Sequence, residues 1–360
     1  MTDTFVFAAP DLTAAVAAIV RAAGSSELEA AQVAANLVEA NLRGHDSHGV
    51  GMTPRYIDAV LEGGLKPDTH VKIRADSGPL LTLDGDQGYG QVIGAEAMAL
   101  GIQRAKAHGV CIVGLAHSHH LGRIGHWAEQ CIDAGLVSIH FVNVLSRPPN
   151  GATIGGRDAR IGTNPFCVGI PRPGKEPIVL DFATSKIAQG KTRVAFNKGV
   201  ELEPGTIIDD RGEPTTNPRY TVVDPLGALL PFGEHKGAGL ALICELLGGA
   251  LAGGATAGPV TDGRRRVLNS MFSVIVDAEQ LGTAANLAQE MESFVAWSTA
   301  SPPGPGVERV LTPGEPERAY KAERLVRGVP VDSVTWAEIV AAGSKVGLNA
   351  GDIEALARRR

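Results

Sequence analysis

Ten histidines occur among the 360 residues, and six of them lie in two short segments of the chain. Imidazole titrates near neutral pH and binds many metals, so clustered histidines indicate either an acid–base centre or a metal site. Each segment contains two histidines three residues apart, a spacing that also occurs among zinc ligands. The two segments are NLRGHDSHGV at 41–50 and AHSHHLGRIGH at 116–126.

A catalytic metal site is the less favoured of these two hypotheses. The first segment continues beyond Gly44, where a predicted helix ends, so helical spacing does not hold for its histidines. No HExxH motif occurs, and no carboxylate adjoins the second segment. A metal-dependent hydrolase stays open as an alternative, but no residue is predicted to be a metal ligand.

Acid–base chemistry on an alcohol or carbonyl oxygen is the favoured hypothesis. His48 and His120 are the candidate groups, because a turn glycine follows each of them directly or after one residue. Ser47 can orient an imidazole or bind a substrate oxygen, whereas a serine nucleophile would lack the GxSxG motif of many hydrolases. Structural roles are predicted for the other four histidines of the two segments, which are His45, His117, His119 and His126.

The elements around the two segments place them at the ends of regular structure. The first segment overlaps the end of a helical pattern at 25–44, and the second follows the apolar strand GVCIVGLAHS. Catalytic groups commonly lie in such loops. Helical patterns dominate both ends of the chain and strand patterns its centre, so the termini are expected to pack together beside a central sheet. The segment KGAGLALICELLGGALAGG at 236–254 predicts a long buried helix.

Composition is typical of a globular protein with no nucleic-acid or anionic-membrane partner. Hydrophobic residues make up 44% of the chain, charged residues 20%, and the net charge is −6. Dense basic runs occur only at 264–266 and 358–360, and both are short enough to be solvated surface.

The cysteines and the N-terminal segment indicate a cytoplasmic location. The N-terminal residues carry an acid rather than a basic region, and no apolar run approaches the about 20 residues that a membrane helix needs. No CxxC pair occurs, so buried free thiols in a reducing compartment are expected for Cys111, Cys131, Cys167 and Cys244.

The segment GYGQVIG at 88–94 resembles a dinucleotide-binding glycine turn, since it follows a predicted strand and precedes a predicted helix. Its spacing, however, is GxGxxxG, and the following strand region contains no acid that would bind ribose hydroxyls. We therefore predict a tight strand-to-helix turn here and no Rossmann domain.

Longer motifs of this chain resemble those of the malate/L-lactate dehydrogenase family. Seven of them occur in order and together extend over nearly the whole chain, which is far more specific than one glycine pattern. They are GHDSHGVGMTPRY, SHHLGRIGHWAEQ, RIGTNPFCVGIP, IVLDFATS, GKTRVA, FGEHKGAGLAL and LTPGEPE.

The resemblance implies a fold of the α/β class (α+β type) without a Rossmann domain. A largely antiparallel central sheet is expected to bind the nicotinamide cofactor, beside a helical domain formed from both termini. The expected boundaries are 1–115 with 315–360 for the helical, substrate-binding domain and 116–314 for the cofactor-binding domain. The resemblance also implies a homodimer or larger homo-oligomer, with the active site between domains and near the subunit contact.

The activity implied by the resemblance is hydride transfer between NAD or NADP and C2 of a 2-hydroxy or 2-oxo acid. Malate, lactate and aryl-pyruvate-like acids are the expected small-molecule substrates. Other family members reduce cyclic imino acids, such as piperideine- or pyrroline-2-carboxylate, or oxidise ureidoglycolate, and both activities remain alternatives.

Residue roles are carried over from the same resemblance. His120 is expected to be the proton donor and acceptor at the substrate oxygen. Ser47 and His48 are expected to line the same pocket, with His48 also in contact with the nicotinamide. The other residues that match cofactor contacts are Gly122, Arg123, Ile124, Val179, Leu180, Asp181, Phe182, Ala183, His235, Asn269, Gly314, Glu315, Pro316 and Glu317.

Met52 is a departure from the pattern of many family members, which have an arginine four residues after the histidine that corresponds to His48. That arginine would bind the substrate carboxylate. Here the carboxylate must be bound by another group, and Arg55, Arg123 and Arg147 are the candidates. The change also favours substrates with bulkier, more apolar side chains.

Overall fold

A computed structural model describes residues 3–145, 148–258 and 267–358 of the chain. The helices in these ranges are α1 (Ala9–Ala22), α2 (Glu27–Leu42), α3 (Thr53–Leu61), α4 (Gly90–His108), α5 (Gly125–Asp133), α6 (Gln189–Lys198), α7 (His235–Cys244), α8 (Ala284–Thr299), α9 (Glu315–Arg327), α10 (Ser333–Lys345) and α11 (Ala350–Ala357). The strands are β1 (Thr4–Phe7), β2 (Lys72–Asp76), β3 (Leu80–Asp84), β4 (Val110–His119), β5 (Val137–Leu145), β6 (Gly151–Ala152), β7 (Ala159–Ile161), β8 (Phe166–Ile170), β9 (Ile178–Phe182), β10 (Ile207–Ile208), β11 (Pro214–Thr215), β12 (Ala228–Leu229), β13 (Leu268–Val276) and β14 (Val329–Asp332).

A seven-stranded sheet lies at the centre of the fold, in the order β2-β3-β4-β13-β5-β8-β9. Neighbouring strands run antiparallel except β3 and β4, which are parallel because α4 connects them as a crossover. Helices α4 and α5 pack against the sheet, and Met98 and Trp127 are fully buried between them. The fold is therefore of the mixed α/β class.

Elements from the two ends of the chain pack against each other. Strand β1 pairs antiparallel with β14, and α1 packs against both α2 and α11. Their apolar side chains form one buried cluster that includes Phe7 and Trp336, with ring centroids 4.5 Å apart. The sequence analysis predicted neither β1 nor β14, because a strand of four residues is too short to establish an alternating pattern.

A second, five-stranded sheet has the order β11-β10-β12-β6-β7. Its strands are two or three residues long, so side-chain packing rather than strand pairing stabilises it. Ile207 and Leu229 are buried there against Ala195 of α6. This packing holds α6, which the sequence analysis did not predict, in contact with the turn Asp46–His48.

The prediction of one long buried helix at 236–254 is wrong in two respects. The α-helix ends at Cys244 and continues as a π-helical segment, Glu245–Leu251. The glycines of these turns face the sheet, where a Cβ on Gly248 would lie 2.6 Å from the carbonyl oxygen of Phe141. The opposite side of the turns, which carries the large apolar side chains, is therefore exposed. Four large side chains are therefore exposed, Leu242 by 54%, Ile243 by 43%, Leu246 by 46% and Leu251 by 61%.

The four cysteines are buried and free, as predicted. Within the described ranges, no helix combines the length and the apolarity needed to cross a membrane. The basic run at 264–266, the last two arginines of the chain and Arg147 lie outside the described residues.

Candidate active site

His120 lies immediately after β4, where a turn of the backbone places it against the start of α4. Its Nδ1 atom is 2.7 Å from the Tyr56 hydroxyl, and the Gln91 side-chain amide donates to the same hydroxyl at 2.9 Å. A Cβ on Gly90 would lie 2.1 Å from the His120 carbonyl oxygen. The glycine segment 88–94 thus forms the turn between β3 and α4, and glycine at its third position permits this close contact.

The two histidine segments meet at this point. Ser47 and His48 lie in the 3₁₀ turn that follows α2, and the Ser47 hydroxyl is 2.9 Å from Nδ1 of His48. The rings of His48 and His120 stack with centroids 5.5 Å apart and an interplanar angle of 22°. Residues 72 positions apart in sequence therefore lie side by side in the folded chain.

The other histidines of these segments contact different groups. His45 is 3.4 Å from the Glu317 carboxylate, and His117 is 3.3 Å from that of Asp84. His126 packs edge-on against the Trp127 ring. Across the described ranges, no three His, Cys, Asp or Glu side chains lie close enough together to bind a metal ion.

Burial sets the protonation of the two stacked imidazoles. Desolvation, followed by the positive charge of His45, lowers the pKa of His48 to about 4. Desolvation, followed by the repulsion that a protonated His48 would exert, holds the pKa of His120 well below its usual value. Both rings are therefore neutral at neutral pH, and a neutral imidazole can accept a proton from an alcohol.

Three segments predicted to bind the cofactor lie next to this pair. The Gly125 backbone N–H donates to the Asp181 carboxylate at 2.7 Å, which joins the loop after His120 to β9. The Val179 N–H donates to the Pro313 carbonyl at 3.2 Å, which joins β9 to the start of α9. The Asp181 charge also acts on His48, so these segments border the imidazole pair.

The His235 segment reaches the same strand through aromatic packing. Phe232 stacks edge-on with Phe182, at 5.3 Å between centroids, and its N–H donates to the Thr184 carbonyl at 3.0 Å. His235 is itself exposed, at the first position of α7.

Two of the residues predicted to contact the cofactor, Arg123 and Asn269, already pair with other groups of the protein through their side chains. The Arg123 guanidinium is 3% exposed and pairs with Glu129. The Asn269 amide accepts from the Leu121 N–H at 2.8 Å and donates to the Asn143 carbonyl at 2.9 Å. Asn269 therefore holds the loop that follows His120 against the central sheet.

The residues present suit a ribose-bearing cofactor. Glu317 lies in the first turn of α9, and its Oε2 atom is buried without a hydrogen-bond partner in the described part of the chain. A buried carboxylate oxygen without a donor is the acceptor that a ribose hydroxyl requires. Gly314, at the start of this helix, has a φ of 92°, a conformation that few other residues adopt.

Arg55 is the arginine of this region whose charge is not neutralised. It is exposed, and among the described residues it has no carboxylate partner. Desolvation by the surrounding protein and the positive charge of Arg193 nevertheless lower the pKa of Arg55. Met52, by contrast, packs against the buried helical cluster.

The sequence analysis did not identify Tyr56 or Gln91 as site residues. One signal was available, because Tyr56 is one of only four tyrosines and its neighbours predict a buried helix face. A buried phenol needs a hydrogen-bond partner, which makes such a residue a candidate for a polar site. Gln91 carries no comparable signal, since it reaches the site only through the turn before α4.

Known proteins resemble this chain over almost its full length. Residues 7–340 match the family model described as malate/L-lactate dehydrogenase. Hydroxycarboxylate dehydrogenase B of Escherichia coli O157:H7 is 47% identical over 98% of both chains. A solved Escherichia coli structure of the malate/lactate dehydrogenase type superimposes with a TM-score of 0.93, at 46% identity and 98% coverage of both chains.

A more distant structure has a different activity in its description. The Δ1-piperideine-2-carboxylate reductase of Pseudomonas syringae superimposes with a TM-score of 0.81, at 28% identity, over 94% of this chain and 99% of that one. The match to the family model and the extent of the 47% identity are decisive for the assignment. This chain belongs to the malate/L-lactate dehydrogenase family.

Proposed function

We propose that this chain is an NAD(P)-dependent 2-hydroxycarboxylate dehydrogenase that interconverts 2-oxo and 2-hydroxy acids of the malate, lactate or aryl-pyruvate type. The observation that supports this most is the stacking of His120, which is buried, on His48, which is partly buried, beside the segments that match cofactor contacts. The pKa values of both imidazoles are lowered. A bound nicotinamide supplies the hydride for C2 in reduction and accepts it in oxidation.

His120 acts as the acid and base at the substrate oxygen. It gives a proton to that oxygen during reduction and takes it back during oxidation. His48 stacks beside it, and Ser47 orients His48 through the hydrogen bond at 2.9 Å. In this proposal, Ser47, His48 and His120 are the catalytic residues.

Arg55 binds the substrate carboxylate in this proposal. Of the three candidate arginines, Arg123 is neutralised by Glu129 and Arg147 lies outside the described residues. Arg55 precedes Tyr56, whose hydroxyl contacts His120, and its positive charge acts on His120. A carboxylate bound there would leave the adjacent oxo group near the imidazole, as the reaction requires.

The seven-stranded, largely antiparallel sheet serves as the cofactor-binding unit in place of a Rossmann domain. We keep the proposed division into 1–115 with 315–360 and 116–314. Strands β2 and β3 belong to the first unit by sequence but hydrogen bond onto β4, so the two units share the sheet. The proposed cofactor contacts are those carried over from the resemblance, with Glu317 as a ribose acceptor.

A spectrophotometric screen tests the activity. Pyruvate, phenylpyruvate, oxaloacetate and a cyclic imino acid are each mixed with the enzyme and NADH or NADPH, and loss of absorbance of the reduced cofactor is followed. Turnover of an oxo acid supports the proposal. Turnover of the cyclic imine alone favours the reductase alternative, for which the piperideine-carboxylate reductase fold is the supporting observation.

Metal analysis of the purified protein tests the remaining alternative. Zinc in stoichiometric amount, with no oxidoreductase activity, would favour a metal-dependent hydrolase.

Gly190→Ala tests whether Ser47 must keep its position. A Cβ on Gly190 would lie 2.5 Å from Cβ of Ser47, so the serine has to move even though alanine is the better helix former. We expect kcat/KM for the oxo acid to fall by about 10- to 100-fold with little change in Tm. Gly239→Ala is the matched control, since nothing lies within 4 Å of its added Cβ. Equal activity of the two variants would contradict the role of Ser47.

The exposed apolar side of α7 and the π-helical segment is the proposed contact between two copies of this chain. Leu242 and Leu246 lie one turn apart there and are 54% and 46% exposed. Exposed apolar patches of this kind mark protein contacts. We expect light scattering to give twice the chain mass for the natural protein and the single mass for Leu242→Asp/Leu246→Asp. Leu281→Asp, at an exposed position in a loop, should leave the mass unchanged.

A further inference from the structure

A hydrogen-bond chain of three side chains leads from α4 to His120. The Gln91 amide nitrogen donates to the Tyr56 oxygen at 2.9 Å, and the Tyr56 hydroxyl lies 2.7 Å from Nδ1 of His120. Gln91 is 1% exposed and Tyr56 is fully buried, so water does not compete for these groups. Burial also raises the pKa of Tyr56, which keeps the phenol protonated.

The number of donors among Gln91, Tyr56 and His120 determines where the protons of Tyr56 and His120 lie. Tyr56 has one proton, and its oxygen already accepts from Gln91. That proton must therefore be donated to Nδ1 of His120. Neutral His120 then carries its own proton on Nε2, the tautomer that donates a hydrogen bond to an oxo group.

In this first arrangement, Gln91 donates to Tyr56 and Tyr56 donates to His120. A second arrangement, with both hydrogen bonds reversed, becomes possible through the other end of the Gln91 amide. Its Oε1 atom is buried and has no hydrogen-bond partner among the described residues. An unsatisfied buried acceptor is energetically unfavourable. Rotation of the amide by about 180° exchanges Oε1 and Nε2 with almost no change in shape. Oε1 would then accept the phenol proton, and the Tyr56 oxygen would accept from an N–H at Nδ1 of His120.

The protonated state of His120 needs this second arrangement. An imidazolium carries N–H on both nitrogens, so Nδ1 must face an acceptor. Tyr56 provides one only when its own proton is donated to the amide oxygen of Gln91. In the first arrangement, the Tyr56 proton and the Nδ1 proton would meet.

We propose that the Gln91 amide, acting through the Tyr56 hydroxyl, selects the tautomer and the protonation state of His120. Tyr56 and Gln91 are thus positioning residues for proton transfer. This inference rests on the proposed role of His120 as the proton donor and acceptor.

The reaction uses both hydrogen-bond arrangements, because the number of protons on His120 changes between its steps. In reduction, the imidazolium transfers its Nε2 proton to the substrate oxygen as C2 receives the hydride, and the oxo group becomes a hydroxyl. The proton that remains is on Nδ1, as the second arrangement requires. A proton from water then restores the imidazolium, and oxidation runs through the same states in reverse. The first arrangement is the one in which neutral His120 binds the oxo group.

Two substitutions of Gln91 separate the arrangements. In Gln91→Glu the carboxylate can only accept, so Tyr56 donates to it and His120 carries its proton on Nδ1. In Gln91→Met neither hydrogen bond forms, so Tyr56 donates to Nδ1 and the proton remains on Nε2. Nitrogen-15 NMR of the histidine-labelled enzyme, without substrate, distinguishes protonated from bare Nδ1 and Nε2 directly. His120→Asn provides the assignment of the His120 signals.

The pH profile of kcat/KM for oxidation is the second measurement. Its acid limb reports protonation of His120, which removes the base. We expect the acid limb to shift to higher pH by about one unit in Gln91→Glu, because Tyr56 can then accept the Nδ1 proton of the imidazolium. We expect it to shift to lower pH in Gln91→Met, because this variant removes the acceptor for the Tyr56 proton. The other groups facing His120 stay unchanged in both variants, namely His48 from the turn Asp46–His48, Arg55 from α3 and His119 from β4.

The double variant Tyr56→Phe/Gln91→Glu separates the hydrogen-bond chain from a plain charge effect. Without the hydroxyl, Gln91→Glu should lose its effect on the tautomer and most of its effect on the limb. Gln130→Glu adds a charge on α5, where Gln130 donates only to a backbone carbonyl, and should move neither quantity.

Two outcomes would overturn the inference: an unchanged His120 tautomer in Gln91→Glu, or the same shift with and without the Tyr56 hydroxyl. If the double variant does not fold, opposite tautomers in the two single variants still decide the question. Because NMR needs no turnover, failure of the inference is distinct from failure of the proposed function, which the substrate screen on the natural protein reports.

Discussion

His120→Ala is expected to lower kcat for oxo-acid reduction by about 10²–10⁴-fold, the usual contribution of a general acid–base group. The substitution removes the imidazole whose Nδ1 contacts the Tyr56 hydroxyl, and with it the proposed proton donor to the substrate oxygen. NADH binding, followed by its fluorescence, should change by no more than a few-fold. Steady-state rates with the best oxo acid of the screen provide the measurement.

His117→Asn is the matched control for this substitution. His117 lies on β4, the strand that ends just before His120, but its side chain contacts Asp84, and its φ of 55° is one that asparagine tolerates. We expect turnover within a few-fold of the natural protein. If His120→Ala retains comparable turnover, His120 is not the proton donor.

The pH dependence of the natural enzyme follows from the lowered pKa of His120. Oxidation needs the neutral imidazole, so kcat/KM for the hydroxy acid should stay on its plateau below pH 6.5, about the value of a free imidazole. It should fall only as the pH drops through the lowered pKa. Reduction needs the imidazolium, so its kcat/KM should still rise as the pH falls below 6.5. An oxidation limb at or above about pH 6.5 would contradict the burial of His120.

Arg55→Gln is expected to have the second largest effect. Loss of a hydrogen bond between charged groups costs about 1.5–3 kcal/mol, which corresponds to at least about 10-fold in kcat/KM. The loss should be much smaller for an uncharged substrate analogue, such as the amide of the same oxo acid. Inhibition by oxamate in the presence of NADH measures carboxylate binding without chemistry.

Three further variants make this test specific. Arg55→Lys keeps the charge but not the planar pair of donors, so it should recover only part of the activity. Arg193→Gln removes a neighbouring charge that is already paired with Glu338 at 2.6 Å, and its effect should be smaller. Met52→Arg in the Arg55→Gln background should restore carboxylate binding if both positions face the same pocket. An Arg55→Gln enzyme with unchanged oxamate inhibition would show that another group binds the carboxylate.

The main elements of the fold could be predicted from periodicity. Helix α2 buries apolar residues at helical spacing, such as Ala30, Val33 and Leu37, and strand β4 begins with an apolar run. Strands β1 and β14 could not be predicted, since each is short and is stabilised by the other from the opposite end of the chain. The exposed leucines of α7 also could not, because an apolar sequence does not reveal which of its sides a sheet will cover.

Half of the candidate site was predictable and half was not. His48 and His120 could be selected as candidates because an imidazole beside a turn glycine is a pattern of residue types along the chain. Tyr56 and Gln91 could not, since a hydrogen-bond partner is selected by distance in space, and these two residues are 35 positions apart. The same holds for Arg123, which has the correct charge for a ligand but pairs with Glu129.

The sequence alone determined the residue types available for chemistry: two histidine segments, a methionine at position 52, and glycines at the turns. Tertiary structure decided which of them act together. The close packing of Gly90 on His120 and of Gly190 on Ser47 brings four separate segments into one pocket. The physical reason is that protonation and hydrogen bonding depend on burial and on distances of a few ångströms, and only the packed chain sets these.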